Sequence, residues 1–379
     1  VSATIALTAG GTGGHVFPAL ALAEELCDRG HAVVFITDSR GGGFGDSAGV
    51  AVHKISAGRL GPGVVGKARG VAELALGYFQ ARAILRRVVP NAVIGFGSYA
   101  SVPTMYAAAR MGLPTLIHEQ NAVLGRANRS IARRVGRIAT AFERVSHLPS
   151  GGAQKVVRTG NPVRPAIVAL GVQPYPDPAT GCLRILVLGG SQGATVFSRI
   201  VPAAVGDLPP DLRGRLIIAQ QCRAADLETA RAAYAKLSVQ VELAPFFADV
   251  PERLAQTHLM ISRSGASTVA ELTAAGRPAI LVPFPHATDD HQTANARALA
   301  DAGAGWLVPD RDDAAASLAA RLRALLAQPE ALVKAAAAAR ALGAPDAAHR
   351  LADEVERVAG LRSDGSGLGR SATCCEAAA

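Results

Sequence analysis

No apolar run in this sequence approaches the roughly 18 residues that a membrane-crossing helix requires. Aromatic side chains make up only 4% of the chain and charged ones only 18%. With so few aromatics and no recognisable nucleic-acid module, DNA and RNA are poor candidates as partners. Cysteine is scarce. Cys27, Cys182, Cys222, Cys374 and Cys375 have neither a zinc nor a disulfide spacing, which points to a reducing compartment. Val1-Ser2-Ala3-Thr4 carries no positive charge, so no signal peptide is expected there. The glycine-rich loops lack a convincing cluster of acidic or His/Cys residues, so neither a metal nor a cofactor is expected.

Apolar residues and glycine are plentiful. The 379 residues are 49% hydrophobic with 40 Gly, a composition that fits a globular α/β protein of two or three domains. A net charge of +9 suits anionic partners such as phosphorylated substrates or anionic lipid.

The chain opens with a β-type run, Thr4 to Thr8, followed by AGGTGGH and a helix expected from about Pro18 to Arg29. His31 to Thr37 reads as the next strand. This βαβ opening lacks the Gly-Lys-Ser/Thr ending of a Walker loop and a clean G-x-G-x-x-G spacing. Its backbone N–H groups are still placed to hold an anion, and His15 is the only titratable side chain in the loop. Residues 38–49 read as a mobile loop. Between Leu60 and Val89, Lys67, Arg69, Arg82, Arg86 and Arg87 lie among Val64, Val65, Leu74, Leu76, Tyr78 and Phe79. For most of these residues a buried helix with a solvated basic face is the simpler reading. The alternative is a patch that dips into an anionic membrane surface.

Further strands are expected at Ala92 to Gly95, Pro114 to His118, Arg137 to Phe142 and Val156 to Thr159. The first ends in a second glycine turn, and the second ends in His118-Glu119-Gln120-Asn121. Residues 163–181 are rich in Pro and have no period, as expected of a linker. The opening theme then recurs: strand Leu183 to Leu188, Gly189-Gly190-Ser191-Gln192-Gly193, and a helix. Strands at Leu216 to Ala219, Val239 to Leu243, His258 to Ser262 and Ala279 to Val282 alternate with helices. The expected architecture is α/β, with two doubly wound Rossmann-like domains facing each other across a cleft. Residues 1–162 form the first domain and 182–361 the second, with a disordered tail at 362–379.

The stretch SRSGASTVAELTAAGRPAILVPFPHATDDHQTANA, residues 262–296, places two strand-to-helix turns at one sheet edge. Such an edge binds ligands in open α/β folds, and helix N-termini favour a diphosphate. Glu271 is suited to a sugar diol, although Thr268-Val269-Ala270-Glu271 also fits a capping box. Asp310-Arg311-Asp312 reads as a helix cap rather than a metal clamp, and the His286/Asp289/Asp290/His291 group as a helix-start loop.

The blocks GGTGGHVFPAL, GFGSYASVP, IHEQNAVLGRAN, GNPVR, GGSQGA, SRSGASTVAEL and VPFPHATDDHQTANA occur in order from Gly10 to Asn295. As a set they resemble the MurG family, the UDP-N-acetylglucosamine–N-acetylmuramyl-(pentapeptide) pyrophosphoryl-undecaprenol N-acetylglucosamine transferases. The resemblance implies a GT-B fold and an inverting transfer of GlcNAc from UDP-GlcNAc to an undecaprenyl-diphosphate-linked muramyl pentapeptide. It also implies a peripheral place on the cytoplasmic face of a bacterial membrane and association with a cell-wall synthesis complex.

Carried over by resemblance, Ser191 and Gln192 lie at the donor diphosphate, and Phe247 offers backbone atoms to uracil. Ser264, Gly265, Ala266, Ser267 and Thr268 meet the diphosphate and ribose, Glu271 the ribose diol, and Gln292 and Asn295 the GlcNAc. Thr12, Gly13, Gly14, His15, Tyr99, His118, Glu119, Asn121, Asn128 and Arg164 match family positions at the cleft. The general base is expected at His15 by residue type and loop position, with His118 and Glu119 in reserve. The chain departs from the family where Ser98 shortens a glycine turn, where Ser198 replaces an expected Asn, and in residues 38–49.

A UDP-GlcNAc epimerase, or another UDP-sugar-binding GT-B protein, would share the donor site but lack an acceptor surface. The segment from Leu60 to Val89 argues against it. A nicotinamide oxidoreductase would need a cleaner glycine fingerprint with an acidic residue about 20 positions on, which Asp38 fits only loosely. A non-catalytic nucleotide-binding module would not release UDP in response to an acceptor.

Overall fold

The computed structural model describes residues 2–10, 13–38, 50–58, 63–179, 181–190 and 195–362. Within them, two wholly parallel sheets carry the chain. The first comprises β1 (Thr4–Thr8), β2 (Ala32–Thr37), β3 (Ala51–Lys54), β4 (Ala92–Gly95), β5 (Thr115–Glu119), β6 (Arg137–Thr140) and β7 (Val156–Arg158), in the order β3-β2-β1-β4-β5-β6-β7. The second comprises β8 (Leu183–Leu188), β9 (Leu216–Gln221), β10 (Gln240–Ala244), β11 (Leu259–Ser262), β12 (Ala279–Leu281) and β13 (Gly305–Leu307), in the order β10-β9-β8-β11-β12-β13.

The first domain's helices are α1 (Gly13–Asp28), α2 (Gly63–Val88), α3 (Ser98–Arg110) and α4 (Arg126–Ile131). Next come α5 (Pro165–Val168), α6 (Thr195–Gly206), α7 (Pro210–Arg213), α8 (Leu227–Tyr234), α9 (Val250–Gln256), α10 (Ala266–Ala275) and α11 (His291–Asp301). The chain closes with α12 (Ala314–Ala327), α13 (Glu330–Leu342) and α14 (Ala347–Val358).

The central strands are continuous apolar runs because helices cover both faces of each parallel sheet. Ile5, Leu7, Phe35 and Ile94 pack on one face of the first sheet, and Ala6, Ile36, Val93 and Ile117 on the other. In the second domain, Ile185, Val187, Ile218 and Ile261 face α6 and α12, while Leu186, Met260 and Leu281 face α10 and α11. Strand order reverses between β1 and β4, and again between β8 and β11. Each reversal leaves a crevice beyond the strand ends, where open α/β sheets bind ligands.

Two expectations change. Residues 347–358, expected with the second domain, pack on the first: Leu351, Ala352 and Val355 are buried in its core with Leu22 and Leu26. Arg29, in the turn after α1, pairs with Asp353 at 2.7 Å and Glu356 at 3.1 Å, and His31 meets Glu356 at 3.1 Å. The apolar stripe of α14 marks a buried face but does not say which core receives it. Within the expected linker, Ile167 and Leu170 are buried in the second domain's core, so residues 165–172 are structured. Of the loop expected at 38–49 and the tail expected at 362–379, residues 39–49 and 363–379 lie outside the described residues.

Candidate active site

The two crevices hold different kinds of structure. In the first, β1 ends at Thr8 and α1 begins at Gly13, five residues ahead of the expected start, leaving Pro18 inside the helix. His15 therefore sits in the first helical turn, not in the loop. Opposite it, Gly97 adopts φ 85°, and a Cβ there would come within 3.5 Å of the His15 ring. Ser98 follows at φ 66°, a left-handed conformation in the glycine turn that is shortened here. Tyr99 is half-buried at the start of α3.

Below His15 lies a fully paired polar frame. Glu119 is 2% exposed and accepts four hydrogen bonds. The Asn121 backbone N–H (3.0 Å) and Nδ2 (3.2 Å) donate to Oε1, and the Gly125 N–H (2.9 Å) and Asn128 Nδ2 (2.9 Å) to Oε2. His118 is fully buried; its Nε2 donates to the Gly160 carbonyl at 2.8 Å. Burial holds the His118 pKa down at about 4, so the ring is neutral near pH 7. Both reserve bases are thus engaged in holding the frame. His15 is half-buried, and its Nδ1 lies 3.0 Å from Gln120 Oε1.

In the second crevice, Gly265 precedes α10 with extended backbone (φ −63°, ψ 148°), and no side chain caps the helix. The N–H groups of the first turn, through Thr268, are available to an anion. Ser264 is buried, and its Oγ donates to the Gln292 carbonyl at 2.8 Å. The Ser267 Oγ is buried without a hydrogen-bond partner among the described residues.

The capping-box reading of Glu271 does not hold. Because α10 starts at Ala266, Glu271 lies in the second turn, and its Oε1 accepts from Arg164 Nε (3.1 Å) and Nη2 (2.8 Å). Oε2 has no hydrogen-bond partner among the described residues. Burial raises the Glu271 pKa, and the Arg164 charge opposes that rise.

Asn295, expected at the sugar, is fully buried and tied across the domain boundary. Its Oδ1 accepts from the Ala122 N–H at 2.9 Å, and its Nδ2 donates to Asn121 Oδ1 and the Ser264 carbonyl, both at 3.0 Å. Gln292 is half-buried and accepts from the Phe284 N–H at 3.0 Å. The Phe247 ring is buried under the Arg253 guanidinium, while Phe246 beside it is 74% exposed. Thr12, Ser191 and Gln192 lie outside the described residues. Buried Ser198 Oγ has no partner among the described residues.

Three contacts escaped the sequence reading. Asp289, in a left-handed conformation, pairs with Arg126 at 3.1 Å and Arg129 at 2.8 Å across the cleft. Asp310, expected as a cap, pairs with Arg263 at 2.9 Å, and Arg263 also donates to the Val282 and Pro283 carbonyls. Gln120 sits inside the HEQN block that marked its neighbours, and only that position could have drawn attention to it.

With α1 and α10 in contact across the boundary, the arrangement can hold a diphosphate at an uncapped helix start, a diol at Glu271 and a proton acceptor at His15. The sequence matches the family models for the glycosyltransferase family 28 N-terminal domain over residues 5–140 and C-terminal domain over residues 184–351. A curated protein of Rhodospirillum centenum is 60% identical over 97% of both chains. One of Paramagnetospirillum magneticum is 57% identical over 93% of this chain and 95% of its own. Both are named UDP-N-acetylglucosamine–N-acetylmuramyl-(pentapeptide) pyrophosphoryl-undecaprenol N-acetylglucosamine transferase. Among solved structures, Acinetobacter baumannii MurG superposes with TM-score 0.79 at 30% identity, covering 94% of this chain and 99% of its own. The calicheamicin glycosyltransferase CalG4, at 17% identity and TM-score 0.66, shares the fold, covering 95% of this chain and 98% of its own.

Proposed function

This chain belongs to glycosyltransferase family 28 and, within it, to the MurG family, and we infer that it transfers N-acetylglucosamine from UDP-N-acetylglucosamine to N-acetylmuramyl-(pentapeptide) pyrophosphoryl-undecaprenol. Its fold is GT-B. What carries the assignment is that relatives sharing more than half their residues with it, across both domains, bear that one name.

The donor binds in the second crevice. The uncapped start of α10 receives the diphosphate, and the unpartnered Oε2 of Glu271 accepts from the ribose diol. Negative charge grows on UDP as the sugar departs. Fixed N–H dipoles at a helix start stabilise that charge without reorganising. His15 takes the proton of the acceptor hydroxyl as it attacks the anomeric carbon from the face opposite UDP, so the configuration inverts. His118 and Glu119 keep their structural bonds throughout. The epimerase alternative is not favoured.

The acceptor's lipid must stay in the bilayer, since each CH₂ exposed to water costs about 0.8 kcal/mol. Among the described residues no helix is long and apolar enough to cross a membrane. α2 instead exposes Val64, Val65, Val71, Leu76 and Phe79, each more than half accessible, beside exposed Lys67, Arg69, Arg86 and Arg87. The simpler reading, a buried helix with a solvated basic face, accounts for the buried stripe of Gly70, Gly77, Ala81 and Leu85 and for the exposed basic residues, but not for the exposed apolar ones. We place α2 on the anionic cytoplasmic leaflet, where each basic residue contributes about 1 kcal/mol.

The test is UDP release from UDP-GlcNAc in the presence and absence of a lipid-linked muramyl-peptide acceptor. Release that ignores the acceptor would sink the transferase assignment. Equal co-sedimentation with anionic and neutral vesicles would sink the docking surface.

A further inference from the structure

A glutamine amide can face either way, and a neutral imidazole can carry its proton on either nitrogen. Around His15 the neighbouring groups remove both choices. His118 donates from Nε2 to the Gly160 carbonyl, which can only accept. His118 is neutral and has one ring proton, so its Nδ1 can only accept. Gln120 lies 3.0 Å from that Nδ1, 3.1 Å from the Phe96 carbonyl and 3.2 Å from the His118 carbonyl. Three acceptors surround one end of the amide, so that end is the NH₂ group. The other end, Oε1, faces His15 Nδ1 at 3.0 Å and can only accept. The proton of neutral His15 therefore sits on Nδ1. Nε2 is left as the bare lone pair and has no hydrogen-bond partner among the described residues.

We propose that Gln120 is a positioning residue that locks His15 in the Nδ1–H tautomer, leaving Nε2 as the atom that receives the acceptor's proton. The catalytic half of this inference rests on His15 being the general base; the tautomer half does not. A free neutral histidine side chain favours the proton on Nε2, so the lock works against the intrinsic preference. The amide that sets it is itself oriented through His118 by the Gly160 carbonyl, 145 residues along the chain from His15.

The experiment is ¹⁵N-detected imidazole NMR of the full-length, histidine-labelled protein near neutral pH, with His15→Gln and His118→Gln assigning the signals. An Nδ1–H signature for His15 and an Nε2–H signature for His118 are expected. Nε2–H at His15 in the wild type overturns the proposal before any Gln120 variant is made. Gln120→Met should return His15 to a tautomer mixture and lower kcat about tenfold while donor KM stays within about twofold. An unchanged His15 tautomer in that variant overturns the lock. If His15→Gln retains full turnover while the wild type shows Nδ1–H, the base assignment falls and the tautomer lock stands.

Discussion

The groups around His15 and those at the start of α10 differ in how they are satisfied, although in the first domain Thr8 Oγ1 and both amide atoms of Asn161 are also buried without a partner among the described residues. In the first domain Glu119 accepts four hydrogen bonds, and His118, Gln120 and Asn128 are paired with one another or with carbonyls. Among the described residues of the second, α10 starts without a side-chain cap, Ser267 Oγ is unpartnered, and one oxygen of Glu271 is open. A buried, saturated network is rigid, because every departure leaves a desolvated group unpaired. An unsaturated helix start is completed by its ligand. The cluster of His118, Glu119, Gln120 and Asn128 is thus built to hold one side chain, His15, in one geometry, and the start of α10 is built to be filled.

This contrast can be broken in several places. His15→Gln should lower kcat about a thousandfold, roughly 4 kcal/mol of barrier, with UDP-GlcNAc affinity and melting temperature unchanged. Steady-state kinetics with calorimetry separates these effects, and a loss smaller than tenfold would remove His15 from the chemistry. Glu119→Ala should instead act on the fold. It strands donors on half-buried Asn121 and Gly125 and on buried Asn128 and should cost about 4 kcal/mol in urea unfolding. A cost under about 1 kcal/mol would mean that the frame is not rigid.

The same frame predicts a pH dependence. The folded pKa of His118, about 4, lies below its ordinary 6.5, so on acidification the unfolded chain takes up the proton first. The stability contribution is complete above pH 6.5 and is lost as pH falls toward 4, on the order of 3 kcal/mol. Chemical denaturation across that range should show a steeper decline for wild type than for His118→Gln, and parallel curves would count against a buried neutral ring.

On the ligand-filled side, Glu271→Ala should weaken UDP-GlcNAc binding about tenfold while leaving unfolding nearly unchanged, since Arg164 remains partly exposed. Unchanged affinity would leave Glu271 only as Arg164's partner. The smallest effect concerns the lip between the crevices. Ser98 occupies a left-handed conformation that glycine adopts freely, so Ser98→Gly should stabilise by about 1 kcal/mol. A stability loss would mean that the Ser98 side chain makes a compensating contact.

Strands such as Thr4–Thr8, Ala92–Gly95 and Leu183–Leu188 were legible residue for residue, because a parallel strand buried on both faces is an uninterrupted apolar run. The glycine turns after them were legible for the same local reason: only small residues let the backbone turn so tightly. The edge strands Ala51–Lys54 and Gly305–Leu307 were not, being short and only partly buried. Local chemistry also marked His15, His118, Glu119, Ser264 and Glu271 as belonging to a site. It could not divide them into a frame and a ligand surface. That division depends on which donors reach which acceptors. Glu271 meets Arg164 from 107 positions away, Asn295 meets Ala122 from 173, and α14 leaves its sequence neighbours to pack on the first domain. A residue's type and period state what it can bond and which face it buries, but its partner is settled only when distant segments are brought within about 3 Å, the range at which hydrogen bonds form.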